Sequence, residues 1–304
     1  MILAFRSAIL CFLLILSGEL AAQTIDFDRP SRIGEERSAR IRQRLTREYT
    51  FLLPGAGEPI KTVETMDLVM LAGIKVLEVN DKKLPVKLEI RPEILGGTLN
   101  GRRIVPEELI GKTFIGDLSS YPCMFSSADG TPLSKNAETV LAALFRVQSG
   151  ASYSEILGKP RKFQPKERWT LNADPILRSL AGRELRQEVS PEKIQSLAVF
   201  GPEFKVDGIP CTVVDLTFRT MGTHSYDFRT KVKLTLPIKK SDGGMLRLQR
   251  EGVEVVDRKI ISNDPAAAGA SVHLVTTEQM EAVYVSPSKP ARPAKNQFFQ
   301  NIFR

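Results

Sequence analysis

The stretch IPCTVVDLTFRTMGTHSYDFRTKVKLTLPI, from Ile209 to Ile238, decides the fold. Its second half alternates strictly. Tyr226, Phe228, Thr230, Val232, Leu234, Leu236 and Ile238 fall on one side, and Asp227, Arg229, Lys231, Lys233, Thr235 and Pro237 on the other. Successive side chains of a strand point to opposite faces, so this is a half-buried strand with one wet face. The first half reads as its partner, with Ile209, Cys211 and Val213 on one face and Val214, Leu216 and Phe218 on the other. Gly222-Thr223-His224-Ser225 lies between them and supplies the reversal.

Outward from this hairpin the chain is rich in further strand segments. Toward the N-terminus these run from Ile41 to Leu53, Thr62 to Leu71, Lys75 to Val79, Leu84 to Arg91, Thr113 to Leu118 and Tyr121 to Ser126. Asn80-Asp81-Lys82-Lys83, Asn100-Gly101 and Asp129-Gly130 are turn sequences between them. Toward the C-terminus Met245–Leu248, Gly252–Ile261, Val272–Thr276 and Ala282–Val285 read as closing strands. Helical patterns interrupt the middle. Ala137, Val140, Leu141, Leu144 and Phe145 form one stripe behind a cap at Ser134 or Asn136. Pro175 to Leu185 is a second helix, and Ser190-Pro191-Glu192 opens a short third one. The expectation is a mainly β protein: a large curved antiparallel sheet or open barrel, with a small helical lid.

The chain has 304 residues, enough for a sizeable core, and a net charge of +8. The charge sits at the ends. Gln23 to Arg47 carries seven arginines against four acids, and Pro287 to Arg304 carries Lys289, Arg292, Lys295 and Arg304 with no acid. The body between them is close to neutral, which argues against groove-type nucleic-acid binding. Residues 1–22 hold an early Arg6, an apolar run from Ala8 to Leu16, then Ser17, Gly18, Ala21 and Ala22. This is the pattern of a secretory signal, with an uncleaved anchor as the alternative. The expected organisation is therefore a signal over 1–22, a polar basic leader over 23–40, one β-rich domain over 41–285, and a flexible tail over 286–304. No transmembrane segment is expected after signal cleavage. Export permits a disulfide between Cys123 and Cys211; two buried thiols are the alternative.

Catalytic motifs do not survive inspection. Gly111-Lys112-Thr113 resembles the end of a phosphate loop, but the earlier glycine that loop needs is replaced by Pro106. Ser190-Pro191-Glu192-Lys193 matches S-x-x-K, without the K-T-G that should accompany it. Ser152 lies in Gly150-Ala151-Ser152-Tyr153-Ser154, which lacks the closing glycine of a nucleophile elbow. His224, Ser225 and Asp227 are neighbours in a turn, where polar residues are ordinary. His273 stands alone on a strand. The histidines and cysteines show no metal-ligand spacing, and no cofactor is expected.

Two stretches offer binding chemistry. Lys159, Arg161, Lys162, Lys166 and Arg168 surround Phe163 and Trp169, a mixture that can grip an anionic surface. The alternative is a solvated loop with both aromatics tucked into the core. In the tail, Phe298, Phe299, Ile302 and Phe303 would share one side of a helical turn capped by Asn296. Such a turn could dock on a partner, an anionic membrane surface or the protein's own groove, or be a frayed terminus.

A helix, a proline-containing connector, Lys166-Glu167-Arg168-Trp169 and an Asp207-Gly208 turn into a long hairpin resemble uncharacterised β-rich domains of exported bacterial proteins. Those often read Gly-Asp-x-Trp, and the glycine is absent here. The resemblance spans Ile41 to Ile261 and extends in outline to the open-barrel lipoprotein carriers. A curved sheet closed by helices makes a concave apolar site, so the expectation is an exported, non-enzymatic binding or carrier module, whose partner is an apolar ligand or a cell-envelope protein. A structural or assembly protein of the cell envelope, docking through its basic ends, is the alternative.

Overall fold

A computed structural model describes residues 23–27, 30–55, 57–104, 107–119, 123–145, 152–159, 161–180, 189–221, 225–260 and 269–285. The signal over 1–22, the tail with Phe298, Phe299, Ile302 and Phe303, and His224 in the hairpin turn lie outside these residues.

The central hairpin is built as its sequence dictates. Strand β11 (Ile209–Thr220) pairs antiparallel with β12 (Tyr226–Pro237), from Cys211 opposite Pro237 to Arg219 opposite Arg229. Tyr226, Phe228, Thr230, Leu234 and Leu236 are buried on one face, while Asp227, Arg229, Lys231 and Lys233 are exposed on the other. β10 (Ile194–Val206) joins β11 through Asp207-Gly208, both at positive φ (48° and 82°), as a tight primed hairpin turn requires. The sheet then grows on both sides. β13 (Arg247–Lys259) and β14 (Ser271–Val285) follow β12. β14 pairs along its whole length with β2 (Glu36–Leu52), which hairpins into β3 (Ile60–Val79). β4 (Pro85–Leu99), β5 (Arg102–Arg103), β6 (Phe114–Asp117) and β7 (Met124–Ser127) complete that side, and β9 (Arg168–Trp169) ends the other.

The result is one open, curved antiparallel sheet of 12 strands, in the order β7-β6-β4-β3-β2-β14-β13-β12-β11-β10-β9 with β5 beside β4. It is not closed into a barrel. The strands are longer than the short sequence segments suggest. Thr62–Leu71 and Lys75–Val79 are parts of a single 20-residue strand, which extends about 65 Å. Bulges adjust the register where parity must change: between Leu71 and Ala72 on β3, opposite Ile94 and Pro92, and between Phe200 and Glu203 on β10. At the second of these, a Cβ on Gly201 would stand 2.9 Å from the Val213 carbonyl, so the backbone approach demands glycine.

Helices and a small ribbon cover one face of the sheet, in two groups. Helix α1 (Lys135–Leu144) is capped by Ser134, whose Oγ accepts from Ala137 N at 3.2 Å. It lays Ala137, Val140, Leu141 and Leu144 over Ile41, Leu68, Met70, Ile90 and Phe114 of β2, β3, β4 and β6. Helix α2 (Tyr153–Leu157), helix α3 (Ala173–Leu180) and the ribbon of β1 (Gln23–Ile25) with β8 (Arg161–Phe163) cover the other side. They pack Ile25, Phe27, Leu157, Phe163 and Ile176 against Phe200, Val214, Leu216, Phe228 and Leu234. Leu248 of β13 touches both clusters.

Part of the polar basic leader joins the folded body. Ile25 and Phe27 are fully buried, and β2 already begins at Glu36. Ile25 at the end of β1 and Phe27 just beyond it pack into the core on one flank of the sheet, which repays ordering them. No helix among the described residues is long and apolar enough to cross a membrane.

Candidate functional site

The covered face of the sheet is apolar on both flanks and polar at its centre. Two adjacent rows, read across the strands, show this. In one, Gln43 of β2 stands opposite Met280 of β14, Met280 opposite Arg250 of β13, and Arg250 opposite Val232 of β12. In the next, Leu45, Glu278, Gly252 and Thr230 follow in the same order. Strand parity places all of these on the covered side with Ile41, Ala282 and Leu234.

Glu278 ties the centre together. Its Oε1 accepts from Gln43 Nε2 at 2.9 Å, and its Oε2 lies 3.1 Å from Arg250 Nη2. Gln43 is fully buried, and the Glu278 side chain is 7% exposed. Two buried atoms of this group have no hydrogen-bond partner among the described residues: Gln43 Oε1, an acceptor, and Arg250 Nε–H, a donor. Turning the Gln43 amide over would set its carbonyl against the Glu278 carboxylate, so the orphaned acceptor is inherent in the arrangement. A buried polar atom left unpaired costs about 1–3 kcal/mol.

Gly252 presents no side chain between Glu278 and Thr230. A Cβ there would meet Thr230 Oγ1 at 3.4 Å. Burial falls away from Gln43 toward Arg250, Glu254 and Arg47, which are only half-buried. Tyr226 donates to Glu254 Oε1 at 2.8 Å at that end. At the opposite end Tyr153 of α2 donates to Met245 Sδ at 3.5 Å, and burial pushes the Tyr153 and Tyr284 phenols up.

The sequence-derived candidates lie elsewhere. In the basic connector the aromatics turn inward: Phe163 is fully buried, and its ring centroid lies 4.8 Å from that of Trp169, 5.3 Å from that of Phe27 and 5.3 Å from that of Phe200. Trp169 Nε1 donates to the Leu157 carbonyl at 2.9 Å. Arg161 lies over the Phe163 ring at 4.4 Å and pairs with Glu167 at 2.6 Å, so its charge is engaged within the chain. Lys159, Lys162, Lys166 and Arg168 are exposed. Lys162 is next to Arg161 on β8 and so faces the other way.

Cys123 and Cys211 are thiols, not a disulfide. Cys123 precedes β7 at one edge of the sheet, and Cys211 is on β11, third strand from the other. Burial pushes both thiols up. Ser152 caps α2 in a capping box with Glu155. Ser190 precedes a 3-10 turn rather than a helix proper and makes no side-chain cap bond to it; its hydroxyl meets Glu192, whose carboxyl this contact lowers. His273 lies 2.7 Å from Asp257 on the uncovered face. No group of three His, Cys, Asp or Glu among the described residues could hold a metal ion.

The sequence reading passed over Gln43, Arg250 and Glu278. The signal was present: each is a polar residue at a position where strand alternation calls for an inward apolar one.

No protein-family model matches the chain, and no curated protein matches it. Among solved structures it is similar to lipovitellin, described for its lipid–protein interactions, at 9% identity and a TM-score of 0.33. That match covers 84% of this chain, which spans 25% of the lipovitellin chain. A DUF1329 family protein from Desulfovibrio piger matches at 10% identity and a TM-score of 0.15, over 88% of this chain and 91% of that one. A putative outer membrane lipoprotein-sorting protein domain from Vibrio parahaemolyticus matches at 10% identity and a TM-score of 0.11, over 85% and 90%. These are weak likenesses.

Proposed function

We propose that this chain is an exported, non-enzymatic carrier or binding module for an apolar ligand, acting in the cell envelope. One observation carries the reading. An open sheet lays an apolar face beneath two covers, whose apolar clusters share Leu248 among the described residues. A fold held by one packed core has no need of that division. A ligand lying along the middle strands would be flanked by both clusters, the concave apolar setting that small-molecule sites favour. The hydroxyls of Ser152 and Ser190 are engaged locally, which favours binding over catalysis. Export rests on the pattern of residues 1–22.

Recovery of the mature protein from the envelope fraction, followed by organic extraction and mass spectrometry, tests this. A near-stoichiometric amphiphile is expected. Protein that carries none, and that takes up no Nile red, would contradict the reading.

A further inference from the structure

We infer that the Gln43–Glu278–Arg250 bridge seats the head of the ligand, and that this head is neutral and carries both a hydrogen-bond donor and an acceptor, as an alcohol or amide does. The inference rests on the carrier reading and adds the chemistry of recognition to it. The bridge spans β2, β14 and β13, the middle of the sheet, between the two apolar clusters. A ligand with its tail among those clusters has its head here.

The class of head follows from what the bridge lacks. Arg250 and Glu278 cancel each other's charge. The two unsatisfied atoms are one acceptor, Gln43 Oε1, and one donor, Arg250 Nε–H. A hydroxyl satisfies both: its hydrogen goes to Gln43 and its oxygen accepts from Arg250. A carboxylate brings acceptors only. It would leave Gln43 Oε1 facing a negative oxygen and would crowd Glu278 with like charge. An ammonium brings donors only and would face the Arg250 guanidinium. An ester accepts without donating, so it satisfies Arg250 and strands Gln43. Room for the head is provided by Gly252, whose missing side chain opens the row between Glu278 and Thr230. Access is from the half-buried end, past Glu254 and Arg47.

Three ligands of one chain length separate the possibilities: monolauroylglycerol, methyl laurate and laurate, each competed against Nile red on the full chain. Monolauroylglycerol is expected to bind about tenfold more tightly than methyl laurate, because one buried acceptor gains its partner. Laurate is expected to be weakest. Gln43→Leu should bring monolauroylglycerol and methyl laurate to within about twofold of each other. Gly252→Ala keeps all three polar groups and fits beside Thr230, so it serves if Gln43→Leu fails to fold; it should hold or raise Tm while weakening monolauroylglycerol several-fold. Equal binding of all three ligands would overturn the head-group inference and leave the carrier reading standing. Tightest binding by laurate would overturn it in favour of an anion site on Arg250. Failure of every ligand and of Nile red to bind would bring down the carrier reading itself.

Discussion

The flank of the covered face on β10–β12 and its centre on β2, β14 and β13 share strand geometry and orientation, yet they hold opposite kinds of side chain. On the flank, Val214, Leu216, Phe218, Phe228 and Leu234 interdigitate beneath α2 and α3. Each such side chain contributes about 1.5–3 kcal/mol by leaving water. At the centre, Gln43, Glu278 and Arg250 occupy equivalent inward positions and leave two polar atoms unpaired. Burying an ion pair returns little net stability, and replacing one with apolar residues of similar volume is often neutral or stabilising. The difference separates what holds the sheet together from what the sheet is for. The flanks supply the fold, and the centre gives up stability for polar groups that a ligand can use.

The largest effect expected is on the flank. Leu234 is almost completely buried, and Leu234→Asp places an unpaired charge between its cross-strand partners Val214 and Leu248. A loss of roughly 4 kcal/mol or more is expected, seen as unfolding or aggregation. Lys233→Gln, one residue along on the wet face, removes only an exposed pair with Asp215 and should shift stability by about 0.5 kcal/mol or less. Equal melting temperatures for the two would break the assignment of faces on which the comparison rests. A smaller effect is expected at the centre from Arg250→Met. It takes the Arg250 guanidinium away from the buried Glu278 carboxylate, and should cost about 3 kcal/mol in chemical denaturation. Arg250 keeps 22% exposure, which places the value at the low end for a buried pair. A cost near zero would mean that Glu278 reaches water and that the centre is not dry.

The sequence made the flanks legible and hid the centre, for one physical reason. Alternation betrays a strand only while inward positions stay apolar. It holds from Tyr226 to Ile238, and there the hairpin and its inward face read correctly, while the wet side ends at Lys233 because Thr235 and Pro237 are buried. At Gln43, at Arg250 with Gly252, and at Glu278 the alternation lapses. The same residues that form the candidate site therefore split β13 and β14 into fragments and conceal their continuity. Helix α2 escaped notice because five residues are too few to show helical periodicity, although Ser152 and Glu155 spell its capping box. The basic connector suggested a surface grip because sequence shows the aromatics interleaved with cations. Folding separates them, burying Phe163 and half-burying Trp169 while leaving Lys162 and Arg168 outside.

The claim that the centre is polar for a ligand, at the expense of stability, is tested most directly by replacing all three groups together. Gln43→Leu, Arg250→Met and Glu278→Leu in one chain keep side-chain volume and remove every unpaired polar atom. Chemical denaturation of this variant, with Nile red displacement by monolauroylglycerol alongside, gives the two numbers needed. The account predicts that the triple variant is as stable as the parent or more stable by about 1–4 kcal/mol, and that its preference for monolauroylglycerol over methyl laurate is lost. A variant destabilised as much as Arg250→Met alone, with that preference intact, would contradict it.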